Sequence, residues 1–343
     1  MANPVTEADP PAAGSRGGWA GYAARKVGGG AVSLFLVAVL GFFLFRVIPG
    51  DPVRTMTRGA PMTAEQLDQL RHRLGLDLPL WQQFLGFLGN LVRGDLGDSF
   101  TYSRPVADLI GERLGPTVLL VGTATALAVG LGLWMGTRAA WRHGGAFDRA
   151  TSSVALTLWS VPTFWLGLIV LMVFGVGVGP IPGLFPVGGI TSPDTPPEFV
   201  PQAFDVARHL VLPALTLVAV VYAQYLMVMR SSLLEEMGAD YLTTARAKGL
   251  REDLVRRRHA VPNALLPTVT LIFLHLGMVV AGAITVETVY SWPGLGLLTY
   301  EALRVPDLPL LQGTFIVLAG SVIAMNVLAD LLYRLLDPRV RAA

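Results

Sequence analysis

The side chains best suited to chemistry are scattered along this chain rather than grouped. Its five histidines show no pair at metal-ligand spacing, and its 343 residues include no cysteine, which excludes thiolate metal sites, disulfides and cysteine nucleophiles. Neither of the two lysines, Lys26 and Lys248, follows a glycine, so the chain lacks the Gly-x-x-x-x-Gly-Lys loop that holds nucleotide phosphates. We therefore expect no metal site, no bound cofactor and no enzymatic reaction on this chain.

A second group of polar residues lies inside strongly apolar stretches: Ser160, Gln224 and His275. Polar and ionisable groups are costly within a bilayer, so such positions are candidates for a substrate pathway. A structural alternative stays open, because His275 can be neutral and bonded to a neighbouring helix. Asp330 likewise lies near the end of an apolar stretch and can pair with Arg334, four residues on.

The elements that carry these residues are predicted to be membrane helices. The chain is 52% hydrophobic and 15% charged, with a mean hydropathy of +0.55, whereas a soluble protein carries about 25% charged residues. A membrane helix needs about 20 apolar residues. Six stretches meet this test: Val27–Ile48, Pro116–Thr137, Ser153–Gly177, Leu210–Met229, Leu265–Val286 and Gln312–Leu332. The predicted fold is an all-α integral membrane domain over residues 25–343, after a disordered, cytoplasmic lead at 1–24.

The orientation follows from the basic residues of the short loops. Loops 138–150 and 230–262 together hold ten Lys or Arg, whereas loops 178–208 and 287–310 hold only two. The basic loops should be cytoplasmic, and both chain termini with them. The large loop at 49–115 between the first two spans is then extra-cytoplasmic. The net charge of +2 by itself says nothing about nucleic acid. Because the apolar stretches indicate a membrane protein, we expect the lipid bilayer and no nucleic acid among its partners.

The basic loop at 230–262 is predicted to contain a short helix. Asp240 can cap its start and Gly249 can end it, about two turns later. Small residues, Thr244 and Ala245 among them, would let another surface approach closely. A helix this short is marginal alone and needs a partner surface. The alternative is a basic anchor that lies on anionic headgroups.

The spacing in this loop resembles a known motif. The loop carries TTA at 243–245, then Gly249, then HAVP at 259–262, which resembles the EAA loop of ABC-importer permeases; Ala245, Gly249 and Pro262 match, and the Glu and first Ala are both Thr. The run YLTTARAKGL…RRHAVPNALLP is closer to the dipeptide, oligopeptide and nickel branch. The resemblance implies a coupling helix seated on a cytoplasmic ATPase subunit. The residues that it assigns to this role are Asp240, Tyr241, Thr244, Ala245, Lys248, Gly249 and Pro262.

The segment after the fifth stretch carries a second resemblance. Its sequence VETVYSWPGLG at 286–296 is similar to the ETVFSWPGLG run of these permeases. The resemblance implies a gate or docking element at the outer mouth, formed by Glu287, Tyr290, Trp292 and Pro293. A plain aromatic anchor is the alternative, since Tyr and Trp favour the headgroup level.

Within the large outer loop, FRVIPGDP at 45–52, LGLDLPL at 74–80 and RGDLGDS at 93–99 resemble the same branch. The apolar positions Leu85, Leu88, Leu91 and Val92 predict an amphipathic helix at the membrane surface. In the family this outer face receives a substrate-binding protein.

Taken together, the resemblance implies a type I ABC-importer permease fold with six transmembrane helices in the cytoplasmic (inner) membrane. The expected partners are a second permease in a heterodimer, two ATPase subunits that bind ATP and Mg²⁺, and an external binding protein. Peptides are the expected substrate, with nickel and oligosaccharides as alternatives. An ion-coupled secondary transporter and a membrane scaffold are the rival classes. The first predicts several charged residues at the midplane, where only His275 is a candidate.

Overall fold

The computed structural model describes residues 19–47, 63–73 and 75–336, with backbone alone at some helical positions, 273–282 among them. Its helices are α1 (Trp19–Val47), α2 (Ala64–Arg73), α3 (Leu80–Val92), α4 (Val106–Trp141), α5 (Ala146–Ser160), α6 (Thr163–Val170), α7 (Phe199–Glu236), α8 (Asp240–Ala247), α9 (Glu252–Val255), α10 (Val261–Val289), α11 (Leu295–Arg304) and α12 (Leu308–Leu336). Turns of π-helix extend α6 over Leu171–Val176 and join α9 to α10 over Arg256–Ala260. Strands β1 (Gly177–Val178) and β2 (Ile181–Pro182) pair antiparallel, with Gly177 opposite Pro182. The all-α fold is confirmed.

Four helices are individually long and apolar enough to cross a bilayer among the described residues: α1, α4, α7 and α12. A fifth span arises if α5 and the extended α6 count as one bent segment. The predicted span Leu265–Val286 falls within α10, a helix of 29 residues that includes positions described by backbone alone. The count of six spans therefore stays a prediction.

The third predicted span, Ser153–Gly177, is not one straight helix. It bends by 104° between α5 and α6. Val161 leaves the helix with φ −81° and ψ 130°, the extended conformation that a following proline imposes, and Pro162 then caps α6. The sequence marks this break through Pro162 but not its angle.

The central contact of the fold joins α4 to α7 through two glycines. A Cβ at Gly132 would lie 2.6 Å from the Tyr225 Cβ, and a Cβ at Gly136 would lie 2.6 Å from the Leu226 carbonyl oxygen. Only glycine permits this backbone approach. Close packing through small residues is a usual source of helix association in membranes, where lipid offers no hydrophobic driving force. Tyr225 and Leu226 belong to one buried cluster with side chains of α4, α7, the end of α10 and the turn that follows it: Leu120, Ala124, Leu217, Tyr222, Val286 and Trp292.

Helix α1 packs along α12 and leaves its other side exposed. A Cβ at Gly30 would lie 2.9 Å from the Val327 Cγ2, and one at Gly41 would lie 3.0 Å from the Phe315 ring. Asp330 of α12 pairs with Lys26 at 2.7 Å, which adds a partner that the sequence did not suggest; the side chain of Arg334 lies outside the described part of the chain. The exposed side of α1 carries apolar residues that suit contact with lipid: Val32, Phe35, Leu36, Leu40 and Leu44.

The outer loop forms the predicted helix at α3. Its Phe84 ring lies 5.3 Å from Phe42 and 5.7 Å from Phe43, so α3 packs against the outer end of α1. Leu85 and Val92 are exposed, as expected for the apolar face of a helix that lies at the membrane surface. The segment 48–62, which includes the IPGDP sequence, lies outside the described residues.

Candidate functional site

Helix α8 is held from its inner face by a hydrophobic cluster. Leu242 is fully buried and Ala245 is 5% exposed. Both belong to a cluster with side chains from α4, α7, α9 and the start of α10: Ala140, Met229, Leu233, Val255, Ala260 and Ala264. The short helix is therefore attached to the ends of three long helices, α4, α7 and α10, which supply the partner surface that its length requires.

The two ends of α8 are built differently. The predicted cap Asp240 is wrong, because Ala239 occupies the N-cap position and no side chain caps the helix. Asp240 instead lies in the first turn, where its negative charge favours the helix dipole. The predicted stop is found: Gly249 has φ +77°, its N–H donates to the Arg246 carbonyl (2.9 Å), and the Leu250 N–H donates to the Ala245 carbonyl (3.3 Å). This is a Schellman motif with glycine at its left-handed position.

The solvent-exposed face of α8, opposite Leu242 and Ala245, carries mostly small and polar residues. Asp240, Thr244 and Lys248 are exposed on it, and Gly249 follows them. The Thr244 hydroxyl donates back to the Asp240 carbonyl (3.2 Å), which turns the group toward its own helix. The expectation that Ala245 lies on this face is wrong, because its side chain packs inward. The exposed face is about two turns long, and Lys248 lies on it next to Tyr241, which is 38% exposed.

Tyr241 connects the two ends of the loop at 230–262. Its hydroxyl donates to the Glu236 carboxylate at the end of α7 and accepts from the Asn263 Nδ2 (3.0 Å) in the first turn of α10. Burial raises the pKa of Tyr241, and its hydrogen bond to Glu236 adds to the rise. Pro262, beside Asn263, is exposed in the first turn of α10, where a missing N–H costs no hydrogen bond. A displacement of α8 must therefore pull on α7 and α10 together.

A buried ion pair next to this loop was missed by the sequence reasoning. The Asp148 side chain, 3% exposed, accepts from Arg230 Nε (2.6 Å) and Nη2 (2.9 Å), and its Oδ2 also accepts from the Gly144 N–H (3.0 Å). The His143 ring nitrogen lies 3.4 Å from the same carboxylate. This bidentate pair fastens the α4–α5 turn to α7. Nothing in the sequence indicated this pair, since Arg230 contributed only to the number of basic residues in its loop.

At the other end of the fold, Glu287 of α10 caps the N-terminus of the next helix, α11. Its fully buried carboxylate accepts from the Thr117 hydroxyl (2.7 Å), the Gly296 N–H (2.7 Å) and the Leu297 N–H (3.0 Å). Thr117 in turn accepts from the Leu295 N–H (2.8 Å). The first three free N–H groups of α11 are thus satisfied by α4 and α10, where a negative charge is also favourable.

Two glycines make this arrangement fit. A Cβ at Gly294 would lie 2.3 Å from the Glu287 Oε1, and a Cβ at Gly296 would lie 2.5 Å from the Ile284 Cα. The glycines of the WPGLG sequence are therefore explained by close approach to the carboxylate and to α10, rather than by flexibility.

The aromatic residues of this segment are interior residues. Trp292 is fully buried and its Nε1 donates to the Pro116 carbonyl (2.9 Å); Tyr290 is 1% exposed and its hydroxyl donates to the Gly167 carbonyl (3.0 Å). The aromatic-anchor alternative is wrong for both rings. The side chains of Glu287, Tyr290 and Trp292 are buried and so offer no docking contact themselves, while Pro293 is partly exposed. The role of these four residues in a gate or docking element stays a prediction.

The structure describes the side chains of two of the three residues predicted for a pathway. Ser160 is exposed at the end of α5 and donates to its own helix at the Leu156 carbonyl (2.8 Å), and Gln224 is half-buried on α7. The side chain of His275 lies outside the described part of the chain. Among the described residues, no cluster of three or more His, Asp or Glu has metal-binding geometry.

Comparison with known proteins assigns the class. Residues 128–342 match the family described as binding-protein-dependent transport system inner membrane component, and residues 21–121 match the N-terminal region of such membrane components. The chain belongs to this family. It is a membrane-embedded permease subunit of an ABC importer, not an enzyme, and it works with a further permease, ATPase and substrate-binding subunits.

Particular relatives cover most of the chain. A putative peptide permease of Brucella suis biovar 1 is 40% identical over 90% of this chain and 95% of its own. The di/tripeptide transport system permease of Pseudomonas aeruginosa is 38% identical over 93% and 98%, and the dipeptide transport system permease of Escherichia coli K12 is 38% identical over 89% and 94%. An inward-facing structure of the MetNI methionine ABC transporter matches with a TM-score of 0.50 and 16% identity, over 67% of this chain and 96% of that one. That likeness supports the predicted type I importer fold.

Proposed function

We propose that this chain forms half of the translocation pathway of an ATP-driven peptide importer, with α8 as the helix that couples it to an ATPase subunit. The names of its relatives support peptides as the substrate class. Nickel and oligosaccharides are the alternatives that the resemblance left open, and no described contact favours either.

The observation that carries the coupling role is the two-sided construction of α8. One face is buried among the ends of three long helices, and the other presents Thr244 and Lys248 to the cytoplasmic side. A helix of eight residues that is fixed on one side and open on the other can receive a partner without losing its own support.

The same construction explains how a displacement would travel. Tyr241 joins α7 to α10, and the Schellman motif at Gly249 fixes the exit of the chain. An ATPase pair that closes on ATP would then shift the ends of α7 and α10 as one body, which reorients the pathway between inward-open and outward-open states. The nucleotide shifts this equilibrium only if the contact at α8 differs between the two states.

The proposed assembly is a heterodimer of permeases with two ATPase subunits and an external binding protein. ATP and Mg²⁺ bind to the ATPase subunits. The excess of arginine in loops 138–150 and 230–262 supports cytoplasmic termini in the inner membrane. The Glu287 network is proposed to keep α11 fixed at the outer end, so that any gate there moves as a unit.

Uptake by proteoliposomes tests the proposal. The permease pair, its ATPase subunits and the binding protein are reconstituted, and entry of a labelled dipeptide is measured with ATP, without ATP, and with an ion gradient alone. We expect uptake that needs ATP and is not competed by nickel or an oligosaccharide. Uptake driven by the ion gradient would favour a secondary transporter, and binding without uptake would favour a scaffold.

A further inference from the structure

A cavity of about 530 Å³ opens where α4 meets the start of α10, beside the cytoplasmic loop. Arg138, Arg256 and Arg257 line one part of it, and Leu133, Trp134 and Leu265 line another. None of the residues that line it belongs to α8 or to the Glu287 network.

The polar part of the cavity has more cations than anions. Asp253 lies 2.7 Å from Arg256 and 3.2 Å from Arg257, so one carboxylate serves two guanidinium groups. Arg138 has no carboxylate within ion-pair distance among the described residues, and its guanidinium lies over the Phe147 ring at 5.3 Å. Three guanidinium groups and one carboxylate leave this part of the cavity with a surplus of two positive charges, and Arg138 is the group without a carboxylate partner among the described residues.

The apolar part lies on the membrane side of these arginines. In α4, Leu133 precedes Arg138, which lies in the last turn. Arg257 precedes α10, and Leu265 lies within it. Both leucines therefore lie further into their spans than the arginines do. Trp134 is 58% exposed, and its ring meets Phe147 edge-on at 6.4 Å. Exposed tryptophan beside arginine at the end of a span is typical of the headgroup level.

We propose that this cavity binds an anionic phospholipid. The phosphate lies against Arg138 and Arg257, and an acyl chain follows Leu133 and Leu265. Charge-assisted hydrogen bonds from guanidinium groups suit phosphate, and basic pockets between membrane helices are a known form of lipid recognition. A zwitterionic lipid would leave the surplus charge unmatched.

Native mass spectrometry tests the proposal on the assembled transporter. The full-length chain with its partner subunits is placed in nanodiscs of phosphatidylcholine, or of phosphatidylcholine mixed with phosphatidylglycerol, and released gently. We expect wild type to retain phosphatidylglycerol and Arg138→Gln to retain it about five-fold less, as expected for the loss of one basic residue near the surface. Arg142→Gln, one turn further on and exposed, is the matched control and should retain it as wild type does.

Three results would overturn the proposal. Retention unchanged in Arg138→Gln combined with Arg257→Gln would show that the arginines do not bind the lipid. Equal retention of phosphatidylcholine would show an apolar groove without charge selection. Displacement of the lipid by inorganic phosphate alone would assign the cavity to a soluble anion. Because both arginines are exposed, the variants should keep the fold, which a thermal melt of the complex verifies.

Discussion

The side-chain amide of Asn263 donates to the hydroxyl of Tyr241 across 3.0 Å, although 22 residues separate them. The bond closes the loop at 230–262, because the Tyr241 hydroxyl also donates to the Glu236 carboxylate at the end of α7. The loop is therefore not a flexible connection between two membrane helices. It is a small folded unit with α8 at its surface.

Tyr241→Phe removes both of these bonds and keeps the ring. Each net hydrogen bond contributes about 1 kcal/mol, so the loss of both should loosen the attachment of α8 by about 2 kcal/mol, and the dipeptide taken up per ATP hydrolysed should fall by up to about 30-fold. The ratio of uptake to hydrolysis in proteoliposomes measures this. Tyr300→Phe, at a tyrosine of α11 that is equally exposed (38%), should leave the ratio unchanged. An unchanged ratio in Tyr241→Phe would mean that the closed loop plays no part in coupling.

Gly249→Ala tests the C-terminal end of α8, because the substitution strains the backbone there without creating a steric clash. A Cβ there meets nothing within 4 Å, but φ is +77°, which costs a non-glycine residue about 1–2 kcal/mol. We expect reduced uptake with the membrane helices still inserted, and partial recovery in Gly249→Asn, because asparagine tolerates this conformation.

The matched control for Gly249 is Gly238→Ala at the other end of the loop. The φ of Gly238 lies outside the left-handed region, and an added Cβ would lie an ordinary 3.6 Å from the Glu235 carbonyl oxygen. This variant should transport as wild type does. If both alanine variants behaved alike, strain at Gly249 would not be the cause.

The Asp148–Arg230 pair should matter for stability. Asp148→Asn leaves the guanidinium with a neutral partner, and breaking a buried pair costs about 3–5 kcal/mol, an upper bound here because Arg230 is 20% exposed. We expect a clearly lower melting temperature in detergent. The exposed Arg104–Glu112 pair is the control, and Glu112→Gln should leave the melting temperature nearly unchanged, because solvent screens an exposed pair. Equal effects of the two substitutions would show that the buried pair is not a fastening point.

Gly296→Ala should disrupt the outer network. The added Cβ would lie 2.5 Å from the Ile284 Cα, and overpacking of this kind costs about 1–3 kcal/mol. We expect a lower melting temperature and faster proteolysis near α11. Gly122→Ala, in α4 with nothing within 4 Å, is the control and should melt as wild type does. A normal melt for Gly296→Ala would contradict the close fit of α10 to α11.

Local signals in the sequence predicted local structure well. Pro162 marked the break between α5 and α6, Gly249 marked the end of α8, and the apolar stretches located α1, α4, α7 and α12. Each of these depends on a few neighbouring residues. The 104° angle of the bend has no such local signal, since a proline breaks a helix without fixing the angle.

The site was less predictable because its contacts are distant in sequence. Trp292 bonds to Pro116 over 176 positions, and Tyr290 to Gly167 over 123, so nothing near these aromatic residues distinguishes an interior ring from an interfacial one. Ala245 is small enough for either face of α8, and only Leu242 indicated which side was buried. The Thr117 hydroxyl that supports Glu287 had no sequence signal.

The central claim is that the solvent-exposed face of α8, which carries Thr244 and Lys248, lies on an ATPase subunit. Because the chain has no cysteine, one can be introduced at Thr244 alone and its reaction with a water-soluble maleimide followed with and without the ATPase subunits. We predict fast labelling of the permease alone and strong protection in the assembled transporter, while Arg142→Cys, also exposed, is labelled in both. Equal labelling of Thr244→Cys with and without the ATPase would contradict the account.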